Sequence, residues 1–201
     1  MRVTVIPAAL YPRHFPVGYN RIFKYPIVDI FSFFSGAAEF TSPDQMTCVF
    51  VYGTLKKGQP NYYRMFDTTN GKAEFLASAR TTERYPLVIA TKYNIPFLLN
   101  IPGQGNQVHG EIYKVDEQML KFLDDFEGVP EMYQRTLVKL EVKEWVGPAE
   151  GETPTPGSIT EAFIYSTTTY DSDCLSLPMY ENYDSYGKHG LEYDLKEIED
   201  R

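Results

Sequence analysis

Residues Val49 to Asn61 read "VFVYGTLKKGQPN". An apolar, β-type run halts at Gly53, and the polar stretch after it sets Gly53 and Gly58 around four residues, two of them lysines. That pattern admits a phosphate cradle, an ordinary tight turn, or a strand end whose backbone amides face some other anion. The phosphate reading fails on detail. A G-x-x-x-x-G phosphate loop continues with Lys and then Ser or Thr, which contact the β/γ-phosphates and magnesium; here Gln59 and Pro60 follow. The other two readings stay open. A glycine at a strand end leaves neighbouring N–H groups able to bind a carboxylate as readily as a phosphate, and polar glycine-containing stretches are also common turns.

From Thr47 onward, short β-rich runs alternate with Gly, Pro and Asn turns. "CVFVYG", "YPLVIA", "PFLLNI", "VHGEIYKV", "RTLVKLEVKEW" and "EAFIYST" each mix β-branched, aromatic and aliphatic residues at near-alternating spacing. That composition predicts about six strands and few helices, in a curled sheet or a small barrel. "GPAEGETPTPGS", Gly147 to Ser158, is a connecting loop. A first helix is predicted over "NYYRMF", starting near Pro60. The second covers "DEQMLKFLDDFE": Asp116 caps its free amides, Met119, Phe122, Leu123 and Phe126 form an apolar stripe, and Gly128 supplies a left-handed stop.

At about 100° per residue, Lys121 and Asp124 point away from that stripe, whereas Glu127 lies at its edge. Glu127 therefore leans inward, narrowly more than Asp125. The C-terminal end of a helix carries partial negative charge, which disfavours a carboxylate there. Partial burial, the helix end and the neighbouring Asp124 and Asp125 all push the Glu127 pKa upward in this reading, toward what a general base near neutral pH needs. Position alone equally suits a solvated surface acid on an acidic chain.

The formal net charge of −8 argues against a non-specific grip on nucleic acid or an anionic membrane, both of which need clustered Lys and Arg. A small-molecule partner is expected. No run of about 18 apolar residues occurs. Cys48 and Cys174 are too few for a disulfide framework, so a reducing, cytoplasmic setting is expected. With His14, His109 and His189 scattered along the chain, no metal site is proposed. Gly103 and Gly105 lack the third glycine of a dinucleotide fingerprint, and no G-x-S-x-G elbow supports a serine nucleophile. Residues 1–45 hold only three of the 27 acidic residues and are broken by five prolines; they read as a poorly ordered extension ahead of a catalytic domain over residues 46–201.

Taken together, "VFVYGTLKKGQPN", "YPLVIATKYNIPFLLNIPG", "VHGEIYKVDEQMLKFLDDFEG", "YQRT" and "SYGKHGLEYD" closely resemble the γ-glutamylcyclotransferase-like family, with separated motifs in the same order from Val49 to Asp194. The Tyr-Gly-Thr-Leu wording is similar to its amine-specific branch; other members carry Tyr-Gly-Ser at this loop. The resemblance implies an α+β fold, a small mixed β-barrel of about six strands with short flanking helices; it implies too that Tyr52, Gly53, Thr54 and Leu55 form the substrate-binding loop and that Glu127 is the catalytic acid/base. It also implies an L-γ-glutamyl amine as substrate, notably the γ-glutamyl-ε-lysine left by proteolysis of transglutaminase crosslinks. The products would be 5-oxoproline and the free amine, with no cofactor. Ordinary γ-glutamyl amino acids as substrates, and a non-catalytic binding protein, are the alternatives. For the implied reaction, moving a proton from an ammonium of pKa ~8 to a glutamate at ~4.3 costs about 5 kcal/mol, but only about 2.7 kcal/mol if the glutamate lies near 6.

Overall fold

The computed structural model describes residues 46–196. The predicted N-terminal extension, residues 1–45, lies outside the described residues. Among the described residues the strands and α-helix are, in order, β1 (Thr47–Val51), β2 (Ala73–Tyr85), β3 (Leu87–Ala90), β4 (Ile95–Leu98), β5 (Asn106–Val115), α1 (Glu117–Glu127), β6 (Gln134–Trp145) and β7 (Ile159–Ser166).

Five strands close into a barrel in the order β1-β5-β2-β6-β7, while β3 and β4 form a separate antiparallel hairpin. The β1–β7 pairing is parallel and the other barrel pairings are antiparallel, which makes the small barrel mixed as expected. All six predicted strands occur, but only four of them enter the barrel. The fifth barrel strand is β2, "AEFLASARTTERY", which the sequence reading passed over. Its alanines and charges have low β-propensity, and three register shifts, at Phe75/Ala77, Ser78/Ala79 and Arg80/Arg84, break the alternation that marks a strand.

Strand β1 is buried on both faces. Phe50 and Tyr52 pack into the cluster that holds Ala77, Val108, Ile112, Leu140 and Ile164. The alternate residues Val49 and Val51 pack with Met119 and Leu123 of α1 and with Tyr113. Two-sided burial explains why this strand is a continuous apolar run rather than an alternating one.

Helix α1 forms where predicted. The Asp116 side chain accepts the Met119 N–H, and Gly128, at φ 66° and ψ 44°, donates its N–H to the carbonyls of Asp124 and Asp125. Met119 and Leu123 are fully buried, Phe122 and Phe126 partly so, and complete burial of each aliphatic side chain contributes about 1.5–3 kcal/mol. The other predicted helix shrinks to a single 3-10 turn, Tyr62–Met65. It begins late because Asn61 is already committed: its N–H goes to the Thr54 carbonyl and its Nδ2 to Thr54 Oγ1.

Candidate active site

Where β1 ends, Gly53 to Leu55 turn across a cleft that is partly open to solvent. Tyr52, Gly53, Thr54 and Leu55 line it, and so does Glu127 from the last turn of α1. The structure thus brings together all five residues singled out in the sequence, from positions about seventy apart.

The turn is rigidly built. Lys56 N–H donates to the Gly53 carbonyl at 3.2 Å, and Asn61, which has no exposed surface, holds Thr54 by its carbonyl at 3.0 Å and its hydroxyl at 3.1 Å. Among the described residues, no hydrogen bond takes up the N–H groups of Thr54 and Leu55. Both residues line the cleft, and unpaired donors of this kind are what an oxyanion or carboxylate requires. Glycine at 53 has a reason that the sequence did not disclose: a Cβ there would stand 2.9 Å from Pro96 Cγ. The β3–β4 hairpin, which carries Pro96, presses directly on the turn.

Glu127 ends α1, the element end at which backbone carbonyls outnumber donors. Its carboxyl faces a ring of phenols. Tyr52 is 6% exposed and donates to the Tyr165 carbonyl at 2.8 Å. Burial first, and the Glu127 charge second, hold the Tyr52 hydroxyl protonated well above the ordinary tyrosine range. Burial, the hydrogen bond to Asp124 and the charges of Asp124 and Glu127 raise the Tyr165 hydroxyl as well. Both phenols are therefore neutral at physiological pH. Tyr133 is buried and lines the cleft too, with its hydroxyl donating to the Pro96 carbonyl at 3.3 Å.

Asp124 departs from expectation. The helical wheel pointed it away from the buried stripe, yet it is half-buried, accepting from the Tyr165 hydroxyl at 2.7 Å and from Arg135 Nη1 at 2.7 Å. Strands β6 and β7 cover that side of the helix, a fact no wheel contains. The Arg135 ion pair compensates the acid one turn before Glu127.

Tyr165, Ile95, Pro96, Phe126 and Tyr193 complete the wall, and none was read as a site residue. Tyr165 had a signal, since "EAFIYST" was a predicted strand, but its place beside Tyr52 depends on the parallel β1–β7 register, in which Phe50 pairs with Ile164. Among the described lining residues there is no Ser, Cys, His or Lys, and the Thr54 hydroxyl is occupied by Asn61. The cleft offers one carboxyl, neutral phenols and free backbone amides. Such a set can move protons and hold an oxyanion, while a nucleophile has to arrive with the substrate.

Residues 49–185 match the family model described as "Gamma-glutamyl cyclotransferase, AIG2-like". The chain belongs to the AIG2-like γ-glutamyl cyclotransferase family. Among its relatives, gamma-glutamylaminecyclotransferase B of Danio rerio is 56% identical over 152 residues, 76% of this chain and 75% of that protein. The gamma-glutamylaminecyclotransferase of Rattus norvegicus is 55% identical over 76% of this chain and 99% of its own length. The crystal structure of an AIG2-like protein from Mus musculus superposes with a TM-score of 0.69 at 51% identity, covering 75% of this chain and 97% of that one. Family membership agrees with the small α+β barrel described above.

Proposed function

We propose that this protein is a γ-glutamylamine cyclotransferase that converts L-γ-glutamyl amines into 5-oxoproline and a free amine, with Glu127 as the acid/base. The observation that carries the reading is the composition of the cleft: the free N–H groups of Thr54 and Leu55 and the Glu127 carboxyl share one cavity, with no side-chain nucleophile among the described lining residues. Relatives about half identical over most of this chain bear that name, and so lend it support.

The reaction suits this inventory. The substrate's α-amine attacks its own γ-carbonyl, so the new C–N bond closes a five-membered lactam as the C–N bond to the leaving amine breaks. Two protons leave the attacking nitrogen and two reach the departing one, so no net acid, base or water is consumed. A single carboxylate can take a proton from the first nitrogen and return it to the second. Holding the two ends of the glutamyl group in contact supplies part of the barrier reduction, up to about 7–11 kcal/mol in well-oriented intramolecular reactions. The Thr54 and Leu55 amides receive substrate oxygen, and the buried phenols of Tyr52 and Tyr165 keep the Glu127 carboxyl among neutral groups.

We assign the catalytic unit to residues 46–201, with the substrate-binding role on Tyr52 to Leu55 and γ-glutamyl-ε-lysine as the representative substrate. Cytoplasmic residence is part of the same reading, supported by free Cys48 and Cys174; among the described residues no helix is long and apolar enough to cross a membrane. The test is mass-spectrometric detection of 5-oxoproline and lysine from γ-glutamyl-ε-lysine, beside γ-glutamyl-alanine. Release from the first substrate and much slower release from the second is the expected result. Equal rates would move the assignment to γ-glutamyl amino acids, and no release from either would leave a binding protein.

A further inference from the structure

The motif "YGTLKKGQPN" holds more polar residues than the site just described uses. Lys56 and Lys57 are adjacent but have different fates: Lys57 is exposed, whereas Lys56 is only 7% exposed. The Lys56 ammonium donates to Asn182 Oδ1 at 2.6 Å and to the Tyr183 carbonyl at 2.8 Å. Three residues later Gln59 repeats the connection, with Nε2 donating to Asp184 Oδ1 at 3.1 Å and Oε1 accepting the Ser185 N–H at 2.8 Å. Four hydrogen bonds thus run from the end of the substrate-binding turn to four consecutive residues, more than 120 positions away.

That distant segment leads back to the cleft. Ser185 is buried, and its hydroxyl accepts the Tyr193 N–H at 2.9 Å. His189 braces the path between them. Its Nδ1 accepts the Leu191 N–H at 2.9 Å, so its Nε2 donates to the Asp184 carbonyl at 2.7 Å. Tyr193 lines the same cleft as Glu127. The loop "SYGKHGLEYD" has no regular secondary structure of its own; these contacts hold its first half, while at its far end Asn94 Nδ2 donates to the Glu192 carbonyl at 2.7 Å and the Asp194 N–H to the Tyr93 carbonyl at 3.0 Å.

We propose that Lys56 is a positioning residue of the cleft, whose buried ammonium, together with Gln59, fastens Asn182–Ser185 to the substrate-binding turn and thereby fixes Tyr193 in the wall. A surface lysine would not serve, because an exposed charge pair contributes little. A charge-assisted bond made inside the protein is about twice as strong as a neutral one. Glu111 and Asp184 supply the negative field that keeps a cation there. Lys56 is not itself among the residues that line the cleft, and its ammonium bonds lead to Asn182 and Tyr183, so the effect of its side chain on substrate passes through the C-terminal segment.

The effect on catalysis rests on the cyclotransferase reading, whereas the effect on the chain does not, and the experiment separates them. Hydrogen exchange followed by mass spectrometry on the full chain compares wild type with Lys56→Met, Lys57→Met and Lys56→Arg, alongside steady-state kinetics on γ-glutamyl-ε-lysine. Lys56→Met is expected to raise exchange selectively over residues 182–193, and to raise KM about tenfold while kcat stays within about twofold, a tenfold change being ~1.4 kcal/mol. Lys57→Met should match wild type in both readouts, and Lys56→Arg, which keeps the charge, should recover part of the protection and of the KM. Asn182→Ala removes one acceptor at an exposed position and should shift both readouts the same way by less; it stands in if Lys56→Met does not fold. Unchanged exchange over residues 182–193 in Lys56→Met overturns the proposal. So does an increase spread evenly into β5 and α1, or a fall in kcat at constant KM. Should wild type release no 5-oxoproline, the functional reading fails and the exchange pattern alone decides the positioning role.

Discussion

Replacing Lys56 with methionine removes an ammonium whose burial is unfavourable, and the size of that penalty depends on pH. Burial lowers the Lys56 pKa from 10.5 to about 8, in spite of Glu111 and Asp184, which favour the cation. In the unfolded chain the amine returns to its ordinary value. Between the two pKa values the unfolded chain binds more protons than the folded one, so folding stability rises with pH across that window. Below it both states are charged and the penalty is complete; above it neither is charged and the penalty is gone. Integrating the difference in bound protons from about pH 7 to about 9.5, at about 1.4 kcal/mol per unit, gives wild type a gain of about 2 kcal/mol that the methionine variant cannot have. Cys48 and Cys174 act the other way, because burial raises both thiols and the unfolded chain ionises first. Both proteins keep those cysteines, so the informative quantity is the stability difference between them at each pH. Urea unfolding followed by the fluorescence of Trp145, the single tryptophan, measures it. A difference that stays constant over the window would refute the argument, since it would mean that Lys56 titrates alike in both states.

Three further outcomes follow from the same geometry. Glu127→Gln keeps the shape of the side chain but cannot accept a proton, and turnover of γ-glutamyl-ε-lysine should fall by at least about a hundredfold while a calorimetric titration still registers binding; wild-type kcat would remove Glu127 from the mechanism. Gly53→Ala puts a methyl 2.9 Å from the stiff Pro96 ring, so either the turn or the hairpin shifts. A loss of about 1–3 kcal/mol in urea unfolding and a raised KM are expected. A chain starting at Met46 should retain wild-type kcat/KM, because the relative from Rattus norvegicus is matched over 99% of its length by 152 residues; loss of activity would assign the first 45 residues a part in the site.

How far the fold was legible depended on what each strand buries. Strand β1 announced itself because both of its faces are covered, one by the barrel interior and one by α1. Helix α1 was legible to the residue at its cap and stop because Asp116 and Gly128 act locally. Strand β2 was not, since a bulged strand of alanines and charges is held by its partners β5 and β6 rather than by its own pattern. The hairpin β3–β4 was visible as two strands, while its separation from the barrel was not. In the site, the motif carried the turn and Glu127. Tyr165 and Tyr193 escaped because their positions come from contacts over long sequence separations, such as the Tyr52–Tyr165 bond across 113 residues. Asp124 was misplaced because helical periodicity describes one helix and ignores what packs on its other side.

The position of the cleft follows from the way the barrel closes. Along β1, alternate residues serve two neighbours: Val49 and Val51 seat α1, and Phe50 and Tyr52 enter the barrel. One strand therefore fixes both the helix that ends in Glu127 and the turn that offers free amides. The parallel β1–β7 pairing spans only two registered pairs, Val49–Phe163 and Phe50–Ile164, so the ladder ends two residues before the turn begins. There the Tyr52 hydroxyl takes over, donating to the Tyr165 carbonyl on β7, while the Tyr165 hydroxyl reaches across to Asp124 on α1. Strand β1, strand β7 and helix α1 are thus tied by two phenols at the spot where backbone pairing stops. A seam left open between strands is where a barrel admits a ligand, and here hydrogen-bonded tyrosines brace it against collapse without adding charge beside Glu127.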